Sequence, residues 1–235
     1  MSQYPANWNE MGAKARHAWS VAQSKSKVIA SKPKMATVPE KGSMAELYSY
    51  YSEMVKGYAN GLKQIPDHNE RNIIKASYLN TFREYLEEYM AKGETHDNNV
   101  LFYCLVWACD CQQWDLALEL CDYAVKTVQH SDVFDRNHQT VFADNLFRFA
   151  EQSYKDDKLK LLESCHFNKV FERVMSERWD INGILKARYY KLKGLLIQST
   201  EPALALEYYN NAEQLKPDIG VKTRIKELKE LLLVK

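Results

Sequence analysis

The chain is poor in the residues that interrupt regular structure, with only eight Gly and six Pro among 235. Strand-like alternation of apolar and polar residues is nearly absent, and helix-favouring residues dominate. No apolar run approaches the ~18–20 residues that a membrane-spanning helix needs, so no membrane contact is expected. The opening stretch MSQYPANWNEMGAK has no apolar core of the kind a secretion signal carries. Without such a signal, five cysteines, an odd number, are expected as reduced thiols in a cytoplasm. No G-x-x-x-x-G-K occurs, so a Walker-type phosphate loop is absent and ATP hydrolysis by this chain is not expected.

The charge that is present is unevenly placed. A net charge of +1 hides seven bases against two acids in residues 1–45, and 25 bases against 29 acids in the remainder. The seven are Lys14, Arg16, Lys25, Lys27, Lys32, Lys34 and Lys41. A basic arm on a mildly acidic body is the asymmetry expected of a segment that meets a polyanion, although a solvated leader has the same composition. Residues 1–42 end in SKPKMATVPEKG and read as an extended, partly disordered linker, with one short helix around Trp8–Ala22.

From residue 43 the pattern is helical. Ser43-Met-Ala-Glu46 is a capping box, followed by Leu47, Tyr51, Met54, Val55, Tyr58 and Leu62 at helical spacing. Pro66 ends that helix. Asp67, with Glu70 three residues on, opens a second that continues through Ile74, Tyr78, Phe82, Leu86 and Tyr89 to a stop at Gly93. Further helices are expected near 97–110, 114–128, 138–154, 157–178 with a break, 182–197, 201–214 and 218–234, with Asp97, Asp135 and Asp218 as caps. The fold class is all-α, with one helical domain over 43–235 after an arm at 1–42. Ala117-Leu-Glu and Ala124 align with Ala205-Leu-Glu and Ala212, and Tyr209 lies between the second pair of alanines. Small residues seven apart let antiparallel helices approach closely. The reading is a tetratricopeptide-like array with hairpins near 97–128 and 182–215. Val221, Ile225, Leu228 and Leu232 recur at a/d-like spacing in the last helix, suited either to sealing the domain or to pairing subunits.

Four cysteines fall within Cys104–Cys121, but their spacings of five, two and ten do not supply the paired ligands of a structural zinc site. Buried packing of the thiols is the expectation, with no metal and no cofactor. Asp156-Asp157-Lys158-Leu-Lys160 has the residue types of a metal-dependent nuclease. Its place at an expected helix start argues instead for capping, so no catalytic residue is assigned. Arg71 and Lys75, four apart on the second helix, extend the basic arm as candidate phosphate contacts, with Arg83 two turns beyond. Lysines scattered around Trp8 and Trp19 suit contact with a nucleic-acid backbone, strongly salt-dependent and weakly sequence-specific.

The order of these features resembles a known family. Leu105-Val-Trp107, Asp110, Trp114-Asp-Leu-Ala-Leu-Glu-Leu120 and Tyr123-Ala-Val-Lys126 look like the central motif of the small terminase subunits of temperate tailed phages with cohesive ends, often labelled "terminase, endonuclease subunit". Leu79-x-x-Phe-x-x-Tyr-Leu86 precedes it in the expected place. Leu192-Lys-Gly-Leu195, Ala203-Leu-Ala-Leu-Glu207, Ala212-Glu-Gln-Leu215 and Gly220-Val-Lys-x-x-Ile-x-x-Leu228 follow, so the resemblance covers roughly 44–232. It implies a packaging role in the cytoplasm of the bacterial host. Double-stranded viral DNA and a large terminase subunit are the implied partners, and a homo-oligomer the implied state. The large subunit would supply the ATPase motor and the nuclease, so "endonuclease" describes the holoenzyme's cutting and this chain is expected to be non-catalytic. The resemblance also implies a Lys/Arg/Pro-rich C-terminal tail. This sequence does not show one, which shifts the expected DNA contact to the N-terminal arm. The rival readings are a tetratricopeptide-like protein adaptor without nucleic-acid binding and a nuclease with its own active site.

Overall fold

In a computed structural model the protein is described over residues 42–233, apart from residues 132, 134 and 177. Within them it is all-helical. The ten helices are α1 (Met44–Leu62), α2 (His68–Ala91), α3 (Asn99–Asp110), α4 (Trp114–Lys126), α5 (His138–Lys155), α6 (Lys160–Ser164), α7 (Phe167–Met175), α8 (Gly183–Ile197), α9 (Pro202–Leu215) and α10 (Lys222–Leu233). The Trp8–Ala22 helix and the seven basic residues of the arm lie outside the described residues. No helix among the described residues is long and apolar enough to cross a membrane. The chain divides into two compact units, with the division between Asp135 and Arg136.

In the first unit the early caps form as their sequence signals indicate. Ser43 and Glu46 exchange both hydrogen bonds of the capping box, and the Asp67 carboxylate accepts from the Glu70 N–H at 2.6 Å. After α2, Gly93 adopts φ +68°. Its N–H and that of Glu94 return to the carbonyls of Met90 and Tyr89, a Schellman-type ending that a left-handed residue permits. Helices α1 and α2 pack through aromatic rings, with Tyr58 stacked on Tyr78 at 3.9 Å and Tyr51 on Tyr85 at 4.6 Å. Helix α3 packs between α2 and α4. Val100, Leu101, Phe102, Leu105 and Ala108 are all fully buried.

Two expected caps belong to neighbouring residues instead. Asn98, not Asp97, caps α3. Its Oδ1 accepts from the Leu101 N–H while its Nδ2 donates to the Tyr85 hydroxyl, so one buried amide ends one helix and ties it to another. Asp97 is used differently, accepting the His130 N–H at 2.7 Å. Asn137, not Asp135, caps α5. At the far end of the chain Asp218 pairs with Lys216 at 2.8 Å, and the last helix starts only at Lys222.

The second unit has its own core. Tyr189 of α8 donates to the Ala143 carbonyl of α5 at 2.8 Å and stacks on Phe167, while Trp179 packs edge-on against Phe142. The region expected over 157–178 with a break forms two helices, α6 and α7. Between them His166 stands in the left-handed region at φ +61°. Helices α8 and α9 form the closest pair of the unit. Gly194 makes this possible: a Cβ there would lie 2.6 Å from Cε1 of Tyr209. Val221, Ile225 and Leu228 are buried against Ala205 and Tyr209, so these members of the a/d-like set seal the hairpin.

Candidate functional site

The cysteine-rich stretch is a packing seam. Cys104 and Cys121 are fully buried, Cys109 almost so, and all five cysteines are free thiols. Burial pushes the thiols of Cys104 and Cys109 far above the ordinary range. Cys111 is raised to about 12 by burial and then by the neighbouring Asp110 carboxylate. Its sulfur donates to the Asn72 carbonyl at 3.2 Å. Neutral, desolvated thiols are poor nucleophiles and poor metal ligands. Among the described residues no group of three or more His, Cys, Asp or Glu is arranged to hold a metal ion.

Asp156 and Asp157 do not open a helix. Asp156 is the C-cap of α5 and Asp157 follows it at φ +54°, so both stand at the negative end of the helix dipole. The Lys158 ammonium and the Gln152 amide occupy the Asp156 carboxylate and hold its pKa below the usual range. Sequence alone places them at the wrong end because α5 runs to Lys155 and the next helix begins only at Lys160.

Of the ten candidate phosphate contacts, the structure describes three, all on α2, where Arg83 is exposed and Arg71 and Lys75 are partly buried. Lys75 lies between helices, its ammonium 2.6 Å from Oδ2 of Asp110 and its side chain 13 % exposed. The ion pair fastens the last turn of α3 to α2. Arg71, one turn earlier, is partly buried, and its Nε is sequestered without a hydrogen-bond partner among the described residues. The two side chains thus sit largely within the first unit.

The second unit assembles a cationic group that the sequence reading did not single out. Asp144, facing out of α5 with a side chain 12 % exposed, is shared by three guanidinium groups. Arg148 reaches Oδ2 at 2.8 Å, Arg136 the same oxygen at 3.3 Å, and Arg188 lies 3.7 Å from Oδ1. The arginine side chains are 67 %, 57 % and 40 % exposed. Arg188 also lies over the Phe147 ring, its Cζ 4.8 Å from the centroid, a cation–π contact. Beyond it a cleft of about 200 Å³ between α5 and α8 is lined by Lys155, Lys191 and Glu151 among apolar neighbours. The Asp144–Arg148 pair is visible in sequence as an i,i+4 spacing. Arg136 and Arg188 join only through tertiary packing.

Comparison with known proteins accords with the order of motifs. The family model for the phage small terminase subunit matches residues 53–182. A "Probable terminase, endonuclease subunit" of Haemophilus phage HP1 (strain HP1c1) is 25% identical over 166 residues, 63% of this chain and 57% of that protein. The chain thus spans a little over half the length of that relative. No solved structure matches. The family match contains the α3–α4 hairpin with Trp107, Asp110 and Trp114, and it also contains Asp144 and two of its three arginines.

Proposed function

The chain belongs to the phage small terminase subunit family, and from that premise we propose that it recognises the packaging or end site of viral DNA and recruits a large terminase subunit. The family match over residues 53–182 carries this reading. The charge distribution supports it, since an arm of seven bases and two acids suits a polyanion. In this reading the large subunit performs ATP hydrolysis and cutting, and the small subunit acts as an oligomer in the host cytoplasm. Lys14, Arg16, Lys25, Lys27, Lys32, Lys34 and Lys41 neutralise backbone phosphates. Arg71 and Lys75 contribute only where α2 meets the duplex, Lys75 at the expense of its pair with Asp110.

The test is binding of the full chain to duplex carrying the phage end site across a salt series, with and without residues 1–42. Counterion release gives a log–log slope of about −0.9 per neutralised phosphate. Loss of the arm is therefore expected to weaken binding and flatten the slope. Absence of DNA binding by the full chain, with the large subunit still co-purifying, would favour the protein adaptor. Magnesium-dependent nicking by the chain alone, abolished by Asp156→Asn with Asp157→Asn, would establish the nuclease reading instead.

A further inference from the structure

We propose that Arg136, Arg148 and Arg188, fanned around Asp144, form a second duplex-DNA contact that grips the phosphodiester backbone independently of the N-terminal arm. This rests on the DNA-recognition reading and names a site for it within the folded body.

A lone exposed Arg–carboxylate pair is ordinary surface chemistry. Here one carboxylate serves three guanidinium groups, so among the described residues two of the three positive charges have no ion-pair partner of their own. Asp144 is nearly buried while its partners reach solvent, which makes it the root of the cluster and the arginines its tips. A guanidinium has five N–H donors in a planar fork. Each arginine contact with Asp144 is made through a single terminal nitrogen, so donors remain for a phosphate oxygen. The carboxylate on one side and Phe147 beneath Arg188 reduce the side-chain freedom that binding would otherwise have to remove.

The cationic surface continues beyond the fan. Lys155 lies two turns past Arg148 on α5, about 10 Å along the helix axis, and Lys191 faces it from α8. Lys155 also pairs with Glu151 at 2.9 Å, and Lys191 donates to the Ile219 carbonyl at 2.7 Å. Counting both acids, Asp144 and Glu151, the face retains an excess of three positive charges over these seven side chains. Regularly spaced phosphates, rather than one small anion, match a charged run of this length.

The experiment compares the full chain with Arg136→Gln/Arg148→Gln and with Arg136→Lys/Arg148→Lys on the same end-site duplex over a salt series. Thermal melts establish that each variant is folded, as both side chains are exposed. The glutamine pair is expected to weaken binding roughly ten- to thirty-fold at 150 mM salt and to make the log–log slope shallower by about two. The lysine pair is expected to keep the slope. Binding by the parent chain that both variants match in affinity and slope would overturn the inference and leave DNA recognition with the arm. Unchanged DNA binding accompanied by lost capture of the large subunit would overturn it in favour of a protein contact. Failure of the parent chain itself to bind DNA would overturn both this inference and the DNA-recognition reading.

Discussion

Gly194 and Tyr209 meet where α8 crosses α9, and neither can change alone without cost. The Tyr209 ring is fully buried and its hydroxyl is held at 2.9 Å by the Gln198 side chain. It cannot swing away from a Cβ placed 2.6 Å from its Cε1. Alanine is favoured over glycine inside a helix by about 1 kcal/mol, while overpacking a tight core costs about 1–3 kcal/mol. Gly194→Ala is therefore expected to lower the unfolding free energy by up to about 2 kcal/mol in urea titration. Gly57→Ala in α1 is the control, since nothing stands within 4 Å of its added methyl. That change is expected to raise stability by about 0.5–1 kcal/mol. Opposite signs for one chemical change would locate the effect in the contact and not in helix propensity.

At the scale of elements, the Lys75–Asp110 pair joins two helices by side chains remote in sequence. Asp110 lies in the final turn of α3, at the negative end of its dipole, so the ammonium offsets an unfavourable placement as well as pairing a charge. Lys75→Met is expected to cost about 1–3 kcal/mol, the penalty for leaving a half-buried carboxylate unpaired. Adding Asp110→Leu is expected to return most of that loss in a double-mutant cycle. Arg83→Ala on the exposed face of α2 should change stability by less than about 0.5 kcal/mol. The same helices show what was legible in the sequence. Caps that act within one turn, Ser43 with Glu46 and Asp67 with Glu70, and the left-handed stop at Gly93, were readable from spacing alone. The choice of Asn98 over Asp97 was not, because the Tyr85 hydroxyl and the His130 N–H decide it, and both are distant in sequence. A break within 157–178 was expected, but its place at His166 carries no Gly or Pro to mark it. For the same reason the arginine fan cannot be assembled from the sequence: Asp144 and Arg148 are a local i,i+4 pair, while Arg136 and Arg188 arrive by folding.

Over the whole molecule, buried acids that are neutral in the native state set the response to alkali. Burial raises the thiol of Cys111 and the phenols of Tyr89 and Tyr209 to about 12, and it raises Tyr85, Cys104 and Cys109 further. In the unfolded chain such groups titrate near 8.5 for Cys and 10 for Tyr. A folded pKa above the unfolded one means that their contribution is complete below about pH 8 and declines as pH rises. Urea midpoints are expected to be level between pH 6 and 8 and to fall progressively from pH 9 to 11. A level profile through pH 11 would show that these groups are solvated in solution. Because Cys111 and Tyr209 belong to different units, both should contribute to the decline. The Gly194–Tyr209 contact also constrains descent. The two positions, fifteen apart along the chain, behave as a single heritable character. A lineage that replaces the tyrosine with a smaller residue is released to enlarge position 194, and one that enlarges 194 first must cross a less stable intermediate. Among relatives of this chain, glycine at the one place and a large aromatic at the other should therefore be gained and lost together.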